Sequence, residues 1–416
     1  MNVLVLGPES PEARFNDLDY ALMFERYGAS LVHRRDPSRL YEERGMEGME
    51  AEIANVVRHQ GITALVHALG IEFNFRPGFL AEDLAHVYRV LILGDEELYF
   101  DVSHRYYAQC FDLVLSNNPL VERFYLYGMD ALFLPNVFDP EVFCPTGQAA
   151  KTIDVSFVGA MQGQIGREEY REALARAGID PYLRGQGTRN GPIAPAEVIN
   201  TYRRSRVNLN FTGVVPHTPL TAGLSITRRV RQVKGRCTKI ALCGSFVLSE
   251  YAPGIEKLFD VGTEIDVFHD AEELVEKTRF YLAHEDRREE MAARAHTRAL
   301  QQYDAAKFWP EMVRAIRARS ETKRRAADYQ PAYFDKPFWS AFGAWRFKYL
   351  VVFLFAGKPG LFLKELALLL HTGRFNAAAA LSFVGIGLHI ARQRSRPAAW
   401  VAAAARSLRH VLKGGR

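Results

Sequence analysis

The chain has few cysteines, no long unbroken apolar run and almost no acid in its last fifth. Each shortage removes a class of protein. The four cysteines, Cys110, Cys144, Cys237 and Cys243, form no C-x-x-C pair and have no histidine pattern beside them. A disulfide framework and a zinc module are thereby excluded, and reduced thiols are the plain reading. The longest run free of charge near the C-terminus, residues 375–391, falls short of the roughly 20 residues that an apolar helix needs to cross a bilayer. The opening MNVLVLG has no basic flank and reads as a strand rather than a leader.

What is present is unevenly charged. Residues 338–416 carry twelve Lys/Arg and a single acid, Glu365, a net of +11, while the remainder is net −6. The basic balance therefore belongs to the tail, and a nucleic-acid-binding body is not implied. A length of 416 residues exceeds one ordinary core, so two domains and an extension are expected.

Apolar runs of strand length alternate with helical patterns. Strands are expected at Asn2–Leu6, then at residues 30–33, 64–67, 90–93, 113–115 and 132–134, with helices over 17–27 and 49–60. The prolines at 135, 140 and 145 with Gly147 suit a linker. The pattern then restarts with strands at 154–158, 182–184, 207–211, 246–249 and 265–268, and helices at 168–177, 194–204 and 272–282. Alternation of this kind predicts parallel sheets with helices on both faces, the same architecture used twice.

Ligands of such sheets sit beyond the carboxyl ends of the strands. Gly159 ends one strand, and the loop to Arg167 opens a helix. Arg231, Lys234, Arg236 and Lys239 are expected to enter a helix that ends before Gly244. Free N–H groups and these cations would hold phosphate and stabilise charge on a departing diphosphate. A solvated basic helix face is the alternative, of about equal weight on spacing alone. In the first half, His67 ends a strand and Asp95 and Glu96 follow another. These are suitable groups to deprotonate or orient a hydroxyl, although a structural His67 and an Asp95 helix cap remain open. Asp17 and Asp19 are weaker candidates because they fall within an expected helix. No convincing DxD motif occurs, so no obligatory metal and no cofactor are expected.

Three segments resemble the CgeB-like group, related to the glycosyl transferase group 1 families: 154–174 (DVSFVGAMQGQIGREEYREAL), 198–211 (VINTYRRSRVNLNF) and 231–282. A fourth, 112–145, resembles the end of the acceptor domain in those families, through Ser116, Gly128, Pro135, Asn136, Asp139 and Phe143. The resemblance implies two Rossmann-like doubly wound α/β domains facing a cleft, the glycosyltransferase B fold. It also implies transfer of a sugar from a nucleotide-sugar donor to a hydroxyl acceptor. It places Gly159 and Arg167 near the diphosphate and Glu256 near the sugar or ribose. Where the broader families carry a Glu-x7-Glu pair, this chain has Arg231 and Lys239, so Glu250 or Glu256 would have to substitute. A catalytically inactive glycosyltransferase-like binding protein at the membrane is the alternative.

The expected division is an acceptor-side domain over 1–147, a donor domain over 148–320 and a basic, apolar helical tail over 321–416. A helix around residues 308–319 is expected to cross back to the first domain. In the tail, Arg406, Arg409, His410 and Lys413 share a helical face opposite Trp400, Leu408 and Val411. Such a helix suits an anionic membrane surface, while packing on the body or an oligomer interface stays open. The expectation is a cytoplasmic protein, peripheral on the membrane, acting on a lipid-linked or cell-surface glycan.

Overall fold

The computed structural model describes residues 1–7, 20–70, 72–94, 96–143, 147, 149–164, 166–214, 220, 229–323 and 330–394. Asp17, Asp19, Asp95, Cys144 and the basic helix expected beyond residue 400 lie outside them.

The first lobe is a six-stranded sheet in the order β2-β1-β3-β4-β5-β6. Its strands are β1 (Asn2–Leu6), β2 (Leu31–Arg35), β3 (Ala64–Leu69), β4 (Tyr88–Leu93), β5 (Leu113–Ser116) and β6 (Ala131–Phe133). All neighbours are parallel. β4 is buried along its whole length, which explains its apolar run over 90–93, as helices cover both faces; its one charge, Arg89, is paired with Asp112 at 3.1 Å. The second lobe holds β7 (Ile153–Val158), β8 (Tyr182–Arg184), β9 (Ser205–Asn210), β10 (Val247–Glu250) and β11 (Asp266–Phe268). Read from its β8 edge, the order β8-β7-β9-β10-β11 repeats the winding of the first sheet, so both lobes reverse strand order beside their first strand.

The sequence underestimates one helix. Pro37–His59 runs 23 residues rather than starting near residue 49. Asp36 caps it by accepting from the Ser38 and Arg39 amides at 2.9 and 3.1 Å, and proline suits its first turn. Gly45, with φ +70°, interrupts it, which hid its first half from a periodicity argument.

The lobes are joined twice. Phe138 leaves the first lobe and Asp304 returns towards it, and the two form a parallel bridge. Phe138 N donates to Tyr303 O and Ala305 N to Phe138 O, each at 3.0 Å. The helix Ala305–Thr322 then crosses back, as expected. Its Trp309, fully buried, meets Tyr20 and Phe24 edge-on at 5.8 and 6.1 Å. Arg319 pairs with Asp130 at 3.0 Å, and Lys323, just past the helix, pairs with Asp112 at 2.9 Å.

The tail packs on the first lobe. The helix Lys336–Phe355 buries Phe338, Phe342, Trp345, Tyr349 and Phe353 in the same core as Tyr41, Phe73 and Tyr107. Helices Pro359–Thr372 and Ala377–Arg394 follow it. At the centre of the contact, Arg346 and Glu365 are 0% and 3% exposed and 3.2 Å apart. Tyr41 donates to Glu365 at 2.7 Å, and Arg346 donates to Tyr41 and to the Phe73 carbonyl. Burial raises the Glu365 carboxyl above its ordinary value, against the pull of Arg346. Among the described residues, no helix is long and apolar enough to cross a membrane.

Removing one partner of such a pair strands the other charge in the core. Glu365→Ala is expected to cost roughly 3–5 kcal/mol, read as a lowered urea midpoint, with Trp345 fluorescence reporting release of the tail from the first lobe.

Candidate functional site

The carboxyl ends of the two sheets border a cleft of about 690 Å³. The first lobe contributes Gly94, Asn117 and residues 134–138; the second contributes Gly159, Gly185, Tyr202 and residues 232–236, with Lys239. This is where doubly wound sheets hold ligands, beyond the strand ends at the reversal of strand order.

Gly159 follows β7, and packing requires glycine there. A Cβ would lie 2.6 Å from Arg236 Nη2 and 2.7 Å from Phe157 Cζ. Gly185 has φ +136°, and a Cβ on it would lie 2.2 Å from the Gly159 carbonyl oxygen. Two backbone loops thus lie against each other at the cleft floor, tied by Gly159 N to Arg184 O and Met161 N to Gln186 O, both 2.8 Å.

Two guanidinium groups flank the Phe157 ring. Arg236 lies 4.7 Å from the ring centre and Arg167 5.2 Å. Arg236 is held by the Val158 carbonyl at 2.8 Å and Asn210 Oδ1 at 2.7 Å. Arg167 opens the helix Arg167–Arg176, is 4% exposed and donates to the Ala160 carbonyl. Its Nε makes no hydrogen bond among the described residues. Burial first, and the Arg236 guanidinium second, push Arg167 down to about 9. A buried cation pushed this way gains most from an anion placed beside it.

The carboxylate nearest this pair is already bound. Glu250, 2% exposed at the end of β10, accepts from Tyr170 OH at 2.9 Å, Thr212 N at 2.7 Å and Gly213 N at 3.1 Å, and pairs with Arg231. Arg231 is bridged to Gly213, and Gln232 N donates to Thr212 O at 3.1 Å. The expected long basic helix is therefore shortened. Only Arg236 and Lys239 lie within Arg236–Leu242, while Arg231 and Lys234 precede it. The reason is tertiary: this stretch is drawn out along β9's exit, and Gly235 sits against Asn136 and Phe138 with a potential Cβ only 3.1 Å away. Lys239 Nζ lies over the hinge rings Phe138 and Phe143, at 4.8 and 5.6 Å. Glu256 is exposed in the turn Ile255–Lys257 and does not line the cleft. It bonds Tyr251 and raises that phenol.

His67 is separated from this group. It is 4% exposed, sits among Phe75 and Phe111 on the tail side of the sheet, and has Nδ1 3.3 Å from Leu6 O. Burial lowers it to about 4, so it is neutral near pH 7. Asp95 lies outside the described residues. Its neighbour Glu96 is fully buried, bonded to Ser116 and Arg123, and burial raises its carboxyl. Asn117, Tyr202 and Gln232 line the cleft without having been singled out by sequence, and Asn136, noted there only as part of a resemblance, lines it too. The adjacent Asn117-Asn118 after β5, and Gly185-x-Gly187 after β8, were the available signals. Among the described residues, no three His, Cys, Asp or Glu gather as a metal site.

Comparison with known proteins agrees with this layout. Residues 148–314, the second lobe, match the family model described as glycosyl transferase-like. No curated protein sequence matches the chain. Solved structures of similar fold include HepE of Anabaena in complex with UDP-glucose, 13% identical, covering 76% of this chain and 100% of that one at a TM-score of 0.54. Sucrose-phosphate synthase of Thermosynechococcus elongatus is 10% identical, covering 78% and 100% at a TM-score of 0.57. A glycosyltransferase of Rickettsia africae is 10% identical, covering 77% and 99% at a TM-score of 0.53. The fold is the two-lobed glycosyltransferase B fold.

The buried imidazole has a stability consequence. Its folded pKa lies below the unfolded value of about 6.5, so the unfolded chain binds the extra proton and stability falls as pH drops from about 6.5 towards 4. His67→Phe is expected to flatten that part of the acid limb, worth on the order of 3 kcal/mol, in denaturation series from pH 7 to 4.

Proposed function

We propose that this protein is a glycosyltransferase of the CgeB-like kind, moving a hexose from a nucleotide-sugar donor to a hydroxyl acceptor without an obligatory metal or cofactor. The observation that carries the reading is the pair of the buried Arg167 and the half-buried Arg236 around Phe157, beside a glycine floor that opens on the interdomain cleft. The fold supports it, as does the glycosyl transferase-like match over the second lobe. UDP sugars are the first donors to test, because HepE was solved with UDP-glucose.

In the proposed reaction the acceptor oxygen bonds the anomeric carbon as the bond from that carbon to the diphosphate oxygen breaks. The electron pair leaves with the diphosphate, where Arg167, Arg236, Lys234 and Lys239 offset the developing charge. The acceptor proton passes to a base, for which Asp95, next to the cleft residue Gly94, is the assignment. The acceptor proposed is a lipid-linked or cell-surface glycan, with the protein cytoplasmic and peripheral on the membrane. Support comes from the tail. Within residues 338–416 the one acid, Glu365, is buried against Arg346, while Leu354, Leu363, Leu370, Phe375 and Leu381 are exposed. Apolar surface with an excess of cationic over acidic side chains suits anionic lipid.

A second reading is a glycosyltransferase-like binding protein without turnover. It is favoured by the engagement of Glu250 with Tyr170, Thr212, Gly213 and Arg231, which ties the nearest carboxylate into the structure.

Calorimetry with a panel of nucleoside diphosphates and their sugars tests the donor assignment. One nucleotide is expected to bind, with affinity reduced at least about tenfold in Arg236→Ala and Lys234→Ala. Arg231→Ala should weaken binding indirectly, by loosening Glu250. No binding across the panel would refute the donor site, and binding without transfer to any hydroxyl acceptor would select the second reading. Co-sedimentation with vesicles should show retention on phosphatidylglycerol and little on neutral lipid, falling with salt.

A further inference from the structure

The second lobe carries another basic cavity, at the opposite end of its sheet from the cleft. It encloses about 440 Å³. Lys151, Arg203, Arg206, Arg288 and His296 line it, with Glu289 the one carboxylate among its lining residues. Gly244 and Ser245, the turn between the helix Arg236–Leu242 and β10, form part of its wall. The donor reading makes no use of any of these residues.

Arg288 is the buried element of the group. It is 2% exposed and is anchored by Nη1, which donates to Tyr281 O at 2.6 Å. Its Nη2 makes no hydrogen bond among the described residues, and the Glu285 carboxylate stands 3.6 Å away. Lys151 is fixed by donation to Arg203 O at 2.9 Å, Arg203 reaches the Gly147 carbonyl, and Arg206 pairs with the exposed Asp154. Carbonyl oxygens thus orient Lys151, Arg203 and Arg288, while Asp154 and Glu285 offset part of the charge on Arg206 and Arg288. Burial first, then the Arg288 and Arg203 charges, hold the Lys151 ammonium below its ordinary value, against the pull of Glu289. Burial holds Arg288 below its ordinary value against the pull of Glu285 and Glu289, and the Arg206 charge adds to that lowering. Like charges crowded into a concave, partly dehydrated space are stabilised by an anion, and guanidinium groups match phosphate oxygens in geometry.

We infer that this cavity is a second anion site, taking a phosphate-class ligand, either free phosphate or the phosphoryl group of a small metabolite. It is distinct from the cleft and does not rest on the donor assignment. The two sites lie at the two ends of one helix: Arg236 at its start reaches the cleft floor, and the turn after Leu242 borders the cavity. His296 clasps that same end, with Nδ1 3.0 Å from Ala241 O.

Equilibrium dialysis of the full chain with radiolabelled orthophosphate, and separately with glucose 1-phosphate, tests the site. Wild type is expected to bind, and a class of binding should survive Arg236→Ala, which disables the cleft. Arg203→Ala and Arg206→Ala, both part-exposed positions, should each weaken that class at least about tenfold without lowering the melting temperature. Tighter binding of either ligand supports the site and names the source of its phosphate. Binding removed entirely by Arg236→Ala, or unchanged in both Arg203→Ala and Arg206→Ala, overturns it. UDP titration of the same variants reports on the cleft alone, so failure of one site is not read as failure of the other.

Discussion

The architecture depends on the pairing of two passages of chain between the lobes, Phe138 against Asp304. Each lobe is a parallel sheet, so all its strand ends that favour ligands face one way. A single covalent connection would leave those ends free to diverge. The return passage, continued by a helix whose Trp309 is buried beside Tyr20 and Phe24, sets one lobe's carboxyl ends opposite the other's. One apolar core then runs through both, from Val3 and Phe24 to Ile240 and Val247.

The cleft floor follows from that placement. Dehydrating a guanidinium is costly unless its donors and charge are met. Arg236 meets the donor requirement with Val158 O and Asn210, and Arg167 partly with Ala160 O. Neither contact supplies negative charge. Glu250, the neighbouring carboxylate, is already committed to Arg231 and to the turn at residues 212–213. The site is built around a deficit of negative charge, which the diphosphate of the proposed donor would supply. The back cavity around Arg288 repeats this principle with different residues.

The tail illustrates how a compositional signal can have two causes. Its apolar sequence arises mainly because Lys336–Phe355 packs into the first lobe's core, and over 338–416 the one acid, Glu365, is used internally against Arg346. Packing on the body and the proposed membrane-facing surface are compatible, since Leu354, Leu363, Leu370 and Leu381 stay exposed.

The sequence alone determined the alternating strands, the restart after the proline-rich hinge and the repeated winding. Those depend on local hydrophobic runs and on glycine and proline, which one dimension records. Gly159 was legible as the end of a strand and Arg167 as the start of a helix. Tertiary structure decided what no window of sequence contains. It delayed the start of the basic helix to Arg236, because Gly235 must pass close to Asn136 and Phe138. It turned His67 between Phe75 and Phe111, since a strand residue's face depends on what covers the sheet. It bound Glu250 to four partners and left Glu256 outside the cleft. A residue's type shows what chemistry it can do; its neighbours, distant in the chain, decide whether that chemistry is already spent.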